Sequence, residues 1–198
     1  MSPREDVSEE RKEQILDAAT EVFAQKGFDQ ARMDDIVEET GLSKGALYWY
    51  FKSKDDIIFG IMDRLFRLEF KELEGLKDTE SGAAEALWAF TEVAIKDINR
   101  MLHFMPITYE FLALAFRNKL VQKAIKQYIN SYVSILDPMI QRGIDSGEFK
   151  KVNPREVSAA VGAIIEGTML LWVYDRSLIE PDKNIRASIN LLLDGVKA

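Results

Sequence analysis

Apolar residues recur along this chain every three to four positions, and no run alternates convincingly at period two. That pattern predicts helices and no sheet. The first helix reads from Ser8 to about Lys26, with Ile15, Leu16, Ala19, Val22 and Phe23 on one face. Ser8 is placed to cap its start and Gly27 to end it. A short second helix runs from about Met33 to Thr40, with Asp34 and Asp35 near its positive end, and stops at Gly41. Ser43 then caps a third helix, Lys44 to Phe51. Two helices joined by a turn of three to four residues containing glycine form the helix-turn-helix pattern.

Longer helices follow over Asp55 to about Gly75, Ala83 to about Asn99, Pro106 to near Arg117, and Leu120 to about Ser146. Pro138 falls inside the last of these, where it removes a backbone bond and should kink the helix. Asn153 and Pro154 open a helix reaching about Arg176. Residues 179–184 read as a loop, and Ile185 to Val196 is the final helix. The fold class is all-α with about nine helices. Residues 1–55 hold the helix-turn-helix, and residues 56–198 form a larger helical domain.

Composition narrows the chemistry. The chain has 198 residues, 26 Lys and Arg against 33 Asp and Glu, one histidine and no cysteine. Disulfides, cysteine-ligated metals and thiol nucleophiles are excluded, and the lone His103 leaves no multi-histidine metal site. No glycine-rich phosphate loop or nucleophile–base pair is present, so the reading is a protein that is not an enzyme and needs no cofactor. The first fourteen residues carry eight charges and no apolar run, which excludes a signal peptide. The longest apolar stretch, Ala159 to Tyr174, is short and interrupted by Glu166. A cytoplasmic protein without a membrane partner is therefore expected.

A net charge of −7 disfavours non-specific nucleic-acid binding by the molecule as a whole. The charge is uneven, however. Leu42 to Lys54 contains Lys44, Lys52 and Lys54 and no acid. Within it, Leu47 and Phe51 at i and i+4 would join Ile36 and the first helix in a small core. Lys44, Gly45, Tyr48 and Trp49 then fall on the opposite side. In a helix-turn-helix the second helix enters the major groove, its N-terminal residues at base edges. Lys44 is a long donor suited to guanine O6 and N7, Gly45 admits close backbone approach, and Tyr48 and Trp49 suit sugar-phosphate and thymine-methyl contact. Ser43 and Lys54 are placed for phosphates. Periodicity alone leaves a second reading open, in which Tyr48-Trp49-Tyr50-Phe51 is buried aromatic core.

The stretches Ile15-Leu16-Asp17-Ala18-Ala19, Phe23, Gly27-Phe28, Asp35-Ile36 and, above all, the fourteen positions Gly41 to Lys54 resemble the tetracycline-repressor (TetR) family of transcriptional regulators. The motif covers about residues 10–55. The resemblance implies a DNA-reading surface at Arg32, Ser43, Lys44, Gly45, Ala46, Tyr48, Trp49 and Lys54. Two departures stand out. Family members usually have a threonine-rich entry to the second helix, where this chain has Ala31, Arg32 and Met33, so a weakened cap is expected, with Arg32 supplying charge. Position 49, often polar in the family, is Trp49, so base preference does not carry over.

The larger half should dimerise, sense a ligand, or both. Val161, Ile164, Ile165 and Thr168 in the penultimate helix, with Ile185, Ile189 and Leu192 in the last, could form a four-helix interface across a two-fold axis, the arrangement that the resemblance implies. A two-fold dimer reads a pseudo-palindromic double-stranded operator. Trp88, Met101, Phe104, Met105, Tyr109 and Phe116, with Met169 and Trp172, have the character of a lining for a small hydrophobic effector, although core packing explains such residues equally well. Glu110 and Glu166 sit in apolar surroundings and need partners, either a cationic lipophile or a structural pair. A fatty acyl compound is the other effector class left open. The alternative is a DNA-binding regulator whose C-terminal half only dimerises or binds a protein partner.

Overall fold

The structure is a computed structural model that describes residues 3–75, 81–102 and 105–198, and within them the side chains other than those at 3–6, 65, 68–72, 74, 100, 101, 106 and 107. Among the described residues the chain forms helices α1 (Pro3–Lys26), α2 (Met33–Thr40), α3 (Lys44–Tyr50), α4 (Lys54–Glu74), α5 (Ala83–Met101), α6 (Met105–Leu114), α7 (Lys119–Asp145), α8 (Pro154–Tyr174) and α9 (Pro181–Val196). Only an isolated antiparallel bridge, Phe149 to Lys197, has extended pairing there.

Helix boundaries differ from the sequence pattern where proline or a turn decides. Helix α1 runs through Ser8 and begins at Pro3, so Ser8 is not its cap. Helix α9 begins at Pro181, because proline at the first helical position gives up an amide that has no intrahelical partner anyway. Helix α6 ends at Leu114; the amides of Ala115, Phe116 and Arg117 bond three residues back in tight turns, so the helix stops short of Arg117. Pro138 lies within α7, which continues unbroken past it.

The chain divides into two compact units, residues 1–66 with 103–125, and residues 67–102 with 126–198. In the first, α6 and the start of α7 pack with the helix-turn-helix. Its core gathers Ile15, Ala19 and Phe23 of α1, Ile36, Leu47 and Phe51 of the α2–α3 segment, Ile57, Ile58 and Met62 of α4, and Phe111 of α6. Gly60 lets α4 approach α1 closely: a Cβ there would lie 2.9 Å from Leu16 Cδ2. Arg64 then ties α4 to α1 through Glu13 at 2.9 Å and Asp17 at 2.7 Å.

In the second unit, α9 packs on α8 and α5. Ile185, Ile189, Leu193 and Val196, spaced at helical period, are buried. The Glu148 carboxylate accepts the Ala83 and Ala84 amides at 2.7 and 2.9 Å, closing the N-terminus of α5. Arg186 grips Glu92 with both terminal guanidinium nitrogens. Helix α8 has the length and apolarity to cross a membrane, yet Val157, Ser158, Val161, Thr168 and Met169 are buried within this unit.

Candidate nucleic-acid interface

The α2–turn–α3 segment is held by local hydrogen bonds that the sequence dictates. Arg32 has no acceptor to cap α2, but the Asp35 carboxylate reaches back to the Arg32 amide at 2.7 Å, closing the start of the helix from its third position. Lys26 holds the same carboxylate at 2.9 Å. The Lys26 bond first, and then the Arg32 amide, keeps Asp35 below the ordinary carboxylate range. At the other end Gly41 takes φ 66°, a left-handed conformation that glycine adopts freely, and its amide bonds to the carbonyls of Val37 and Glu38. Ser43 Oγ accepts the Ala46 amide at 3.2 Å and starts α3. Helix α3 ends one residue before Phe51, whose backbone is extended.

Burial sorts the α3 side chains cleanly. Leu47 and Phe51 enter the core with Ile36, while Ser43, Lys44 and Gly45 are exposed, Ala46 and Tyr48 are half-buried, and Trp49 is 68% exposed. Of the run Tyr48-Trp49-Tyr50-Phe51, only Phe51 is buried core. The Trp49 ring meets Tyr50 edge-on, with centroids 4.6 Å apart. A Cβ at Gly45 would meet nothing within 4 Å, so no packing inside the protein requires glycine there.

Two cations on this surface already have partners. Lys44 Nζ lies 2.6 Å from Asp34 Oδ1, and that carboxylate holds its ammonium above the ordinary lysine value. Lys54 Nζ donates to the Phe28 and Asp29 carbonyls at 2.5 and 3.2 Å and lies 4.6 Å from the centre of the Phe28 ring. Arg32 remains exposed at the entry to α2. Sequence reasoning did not anticipate the Asp34 pairing or the Asp35 cap. The available signal was an acidic residue three positions after the residue that enters α2.

The residues expected to line an effector site fall in both units. Met105 is buried, Tyr109 half-buried, Glu110 partly enclosed and Phe116 94% exposed, all in the first unit. Glu110 bonds to the Phe28 backbone, and its Oε2 is buried without a partner. Burial, then the nearby Asp29, pushes Glu110 up, against the pull of Phe28 and Lys54. In the second unit Trp88 is half-buried, Met169 is buried, and Trp172 is half-buried beneath the Arg176 guanidinium, 4.8 Å from its ring centre. Glu166 keeps an exposed surface, yet enclosure by the protein pushes its carboxyl up. Its charge, after burial itself, also raises the Tyr132 phenol, and Tyr132 Oη would lie 2.6 Å from a Cβ at Gly162. Phe104 and the Met101 side chain lie outside the described residues.

Burial divides the residues expected at a dimer face into two groups. Val161, Ile185 and Ile189 have no exposed surface and Thr168 only 4%, with Asn184 donating to its hydroxyl. Ile164, Ile165 and Leu192 are half-buried. The bared apolar surface of α8 and α9 lies instead at Leu170, Leu171, Tyr174 and Leu191, with Leu178 in the intervening loop.

Comparison with known proteins agrees with this architecture. Residues 15–61 match the family described as bacterial regulatory proteins, tetR family, and residues 60–198 match the QacR-like protein, C-terminal region. The fatty acid metabolism regulator protein of Bacillus subtilis is 28% identical over 191 residues, covering 92% of this chain and 94% of that protein. The structure of B. subtilis FadR in complex with stearoyl-CoA superposes with a TM-score of 0.78 at 26% identity, over 92% of this chain and 97% of that one. A regulator from Saccharomonospora viridis, solved with choline, shares the fold at a TM-score of 0.83 and 18% identity, over 96% of this chain and 99% of that one. These relatives are regulators rather than enzymes. With an outward-turned α3 on a helix-turn-helix and a helical C-terminal region matched along its whole length, the chain belongs to the TetR family of transcriptional regulators.

Proposed function

We propose that the protein is a dimeric repressor that reads a pseudo-palindromic operator with α3 and releases it when a small lipophilic effector binds. One observation carries the reading: Leu47 and Phe51 root α3 in the core while Lys44, Gly45 and Trp49 are exposed and Tyr48 is half-exposed beside them. Lys44 reads guanine, and Ser43, Ala46, Tyr48 and Trp49 supply backbone and apolar contacts. Arg32 adds charge to a phosphate. Lys54 acts by holding the α1–α2 turn, since carbonyl oxygens occupy its ammonium. Residues 1–55 bind DNA and residues 56–198 dimerise and sense, in the cytoplasm and without a membrane partner.

The dimer face comprises Leu170, Leu171, Tyr174 and Leu191 with Ile164, Ile165 and Leu192, because exposed apolar area of this kind marks an interaction surface. The effector reading draws on the stearoyl-CoA complex of FadR and on the aromatic and methionine side chains Trp88, Met169 and Trp172. Effector binding tilts α4, which has residues in both units, and changes the spacing of the two recognition helices. The bared Phe116 favours the second reading, a C-terminal half that meets a protein surface and takes no small molecule.

The test begins with a duplex selected from a random-sequence pool by the full-length protein. Lys44→Ala should weaken that duplex at least tenfold and relax the preference for guanine at the position it contacts. Unchanged affinity and preference refute the assignment of α3. Titrating the complex with stearoyl-CoA and with a long-chain quaternary ammonium compound then separates the two C-terminal readings: release by either supports a sensor, and identical affinity across both chemistries supports a C-terminal half that takes no small molecule.

A further inference from the structure

Asp34 and Lys44 stand on different helices, and the turn between those helices brings them together at the surface that α3 turns outward. Both side chains are mostly exposed, 68% for Asp34 and 62% for Lys44, so the pair lies on top of the surface rather than inside the fold. Its neighbour Asp35 caps α2 and binds Lys26. Asp34 has neither task, and among the described residues its partner is Lys44.

We infer that Asp34 is a specificity-determining residue, a carboxylate on α2 that occupies Lys44 until a particular base step replaces it. This rests on the assignment of α3 as the reading helix. An exposed ion pair is weak and opens at little cost when a better partner arrives. A phosphate is a poor replacement, because Lys44 reaching it leaves the Asp34 charge beside the polyanionic backbone. A guanine is a good one: O6 and N7 accept from Lys44, while a neighbouring cytosine N4 amino group donates to Asp34. The pair therefore lowers affinity for random duplex more than for the operator. A net-acidic protein in a cell full of competing DNA depends on that ratio rather than on raw affinity.

The experiment compares Asp34→Asn, Glu38→Gln, Lys44→Ala and the Asp34→Asn/Lys44→Ala double variant, all full-length. Each is measured on the selected duplex and on a shuffled duplex of the same composition, across a salt series. Glu38 lies one turn further along α2, is exposed and does not contact Lys44, so its variant removes the same charge without the pairing. Thermal melting of each variant confirms the fold. Asp34→Asn should tighten shuffled-duplex binding about tenfold and cut the selected-to-shuffled ratio at least fivefold. Glu38→Gln should change the ratio less than twofold, and Asp34→Asn should have a clearly smaller effect once Lys44 is alanine. An intact ratio in Asp34→Asn overturns the inference, as does a Glu38→Gln effect of equal size or a full Asp34→Asn effect without Lys44. If Lys44→Ala itself leaves the selected duplex bound as before, the α3 assignment falls and this inference with it. If Lys44→Ala weakens binding and Asp34→Asn leaves the ratio alone, only this inference falls.

Discussion

The Lys54 ammonium sits over the Phe28 ring and donates to the Phe28 carbonyl at 2.5 Å, pinning the turn between α1 and α2 to the first residue of α4. A basic residue beside a recognition helix reads from sequence as a phosphate ligand, but here it holds the protein to itself. Lys54→Ala should therefore destabilise the protein by about 1.5–3 kcal/mol, the range for hydrogen bonds from a charged donor. DNA affinity should fall while the salt slope stays the same. Comparing thermal melts and salt-dependent binding with those of the parent checks this, and a flattened slope in Lys54→Ala would restore the phosphate role.

Glu110 bonds to the backbone of the same Phe28 from α6. Burial and the Asp29 charge raise its folded pKa above the ordinary value of 4.5, so the fold favours the protonated carboxyl. Below that value both states are protonated and Glu110 costs nothing. As pH rises past it, the unfolded chain ionises first, and a penalty grows until the folded group ionises too. Glu110→Gln keeps an acceptor for Phe28 and removes the charge. Its melting temperature should match the parent's at pH 4 and exceed it increasingly toward pH 7. A constant difference across that range would show that charge is not the cause.

Gly45 weakens α3 with no steric reason inside the protein, since a Cβ there points into open space. Gly45→Ala should raise stability by about 0.5–1 kcal/mol, the helical cost of glycine. The same methyl should hinder close approach to DNA, so operator affinity should drop as the melting temperature rises. A variant that is both more stable and equally tight would remove Gly45 from the interface.

Leu171 and Leu191 are 46% and 74% exposed on α8 and α9. Leu171→Glu and Leu191→Glu should leave the monomer's stability within about 0.5 kcal/mol, as for other surface changes. Sedimentation should nonetheless show dissociation to monomers, with a matching loss of affinity for a two-half-site duplex. Dimers that persist in both variants place the interface elsewhere.

The helices, their order and the sharing of one side of α3 by Leu47 and Phe51 were legible in the chain alone, because each follows from spacing within a few residues. Leu47 and Phe51 are one turn apart and must share a face, and Trp49 must then lie off it; Lys44, three residues before Leu47, is on their side by period, and its exposure at the start of α3 was decided by the packing. Boundaries slipped only where local hydrogen bonding was ambiguous, as at Pro181 and Ala115. Helical period says which residues lie together but not what covers them. Val161, Ile185 and Ile189 form apolar stripes as good for a partner as for a core, and only the packing of α9 on α8 and α5 commits them to the interior. Likewise Asp34 and Lys54 are plain surface charges in the sequence, and their partners, ten residues away in one case and twenty-six in the other, exist only because the chain folds back. Short-range spacing determined the elements, whereas the tertiary fold decided which charges were already paired and which apolar faces remained open.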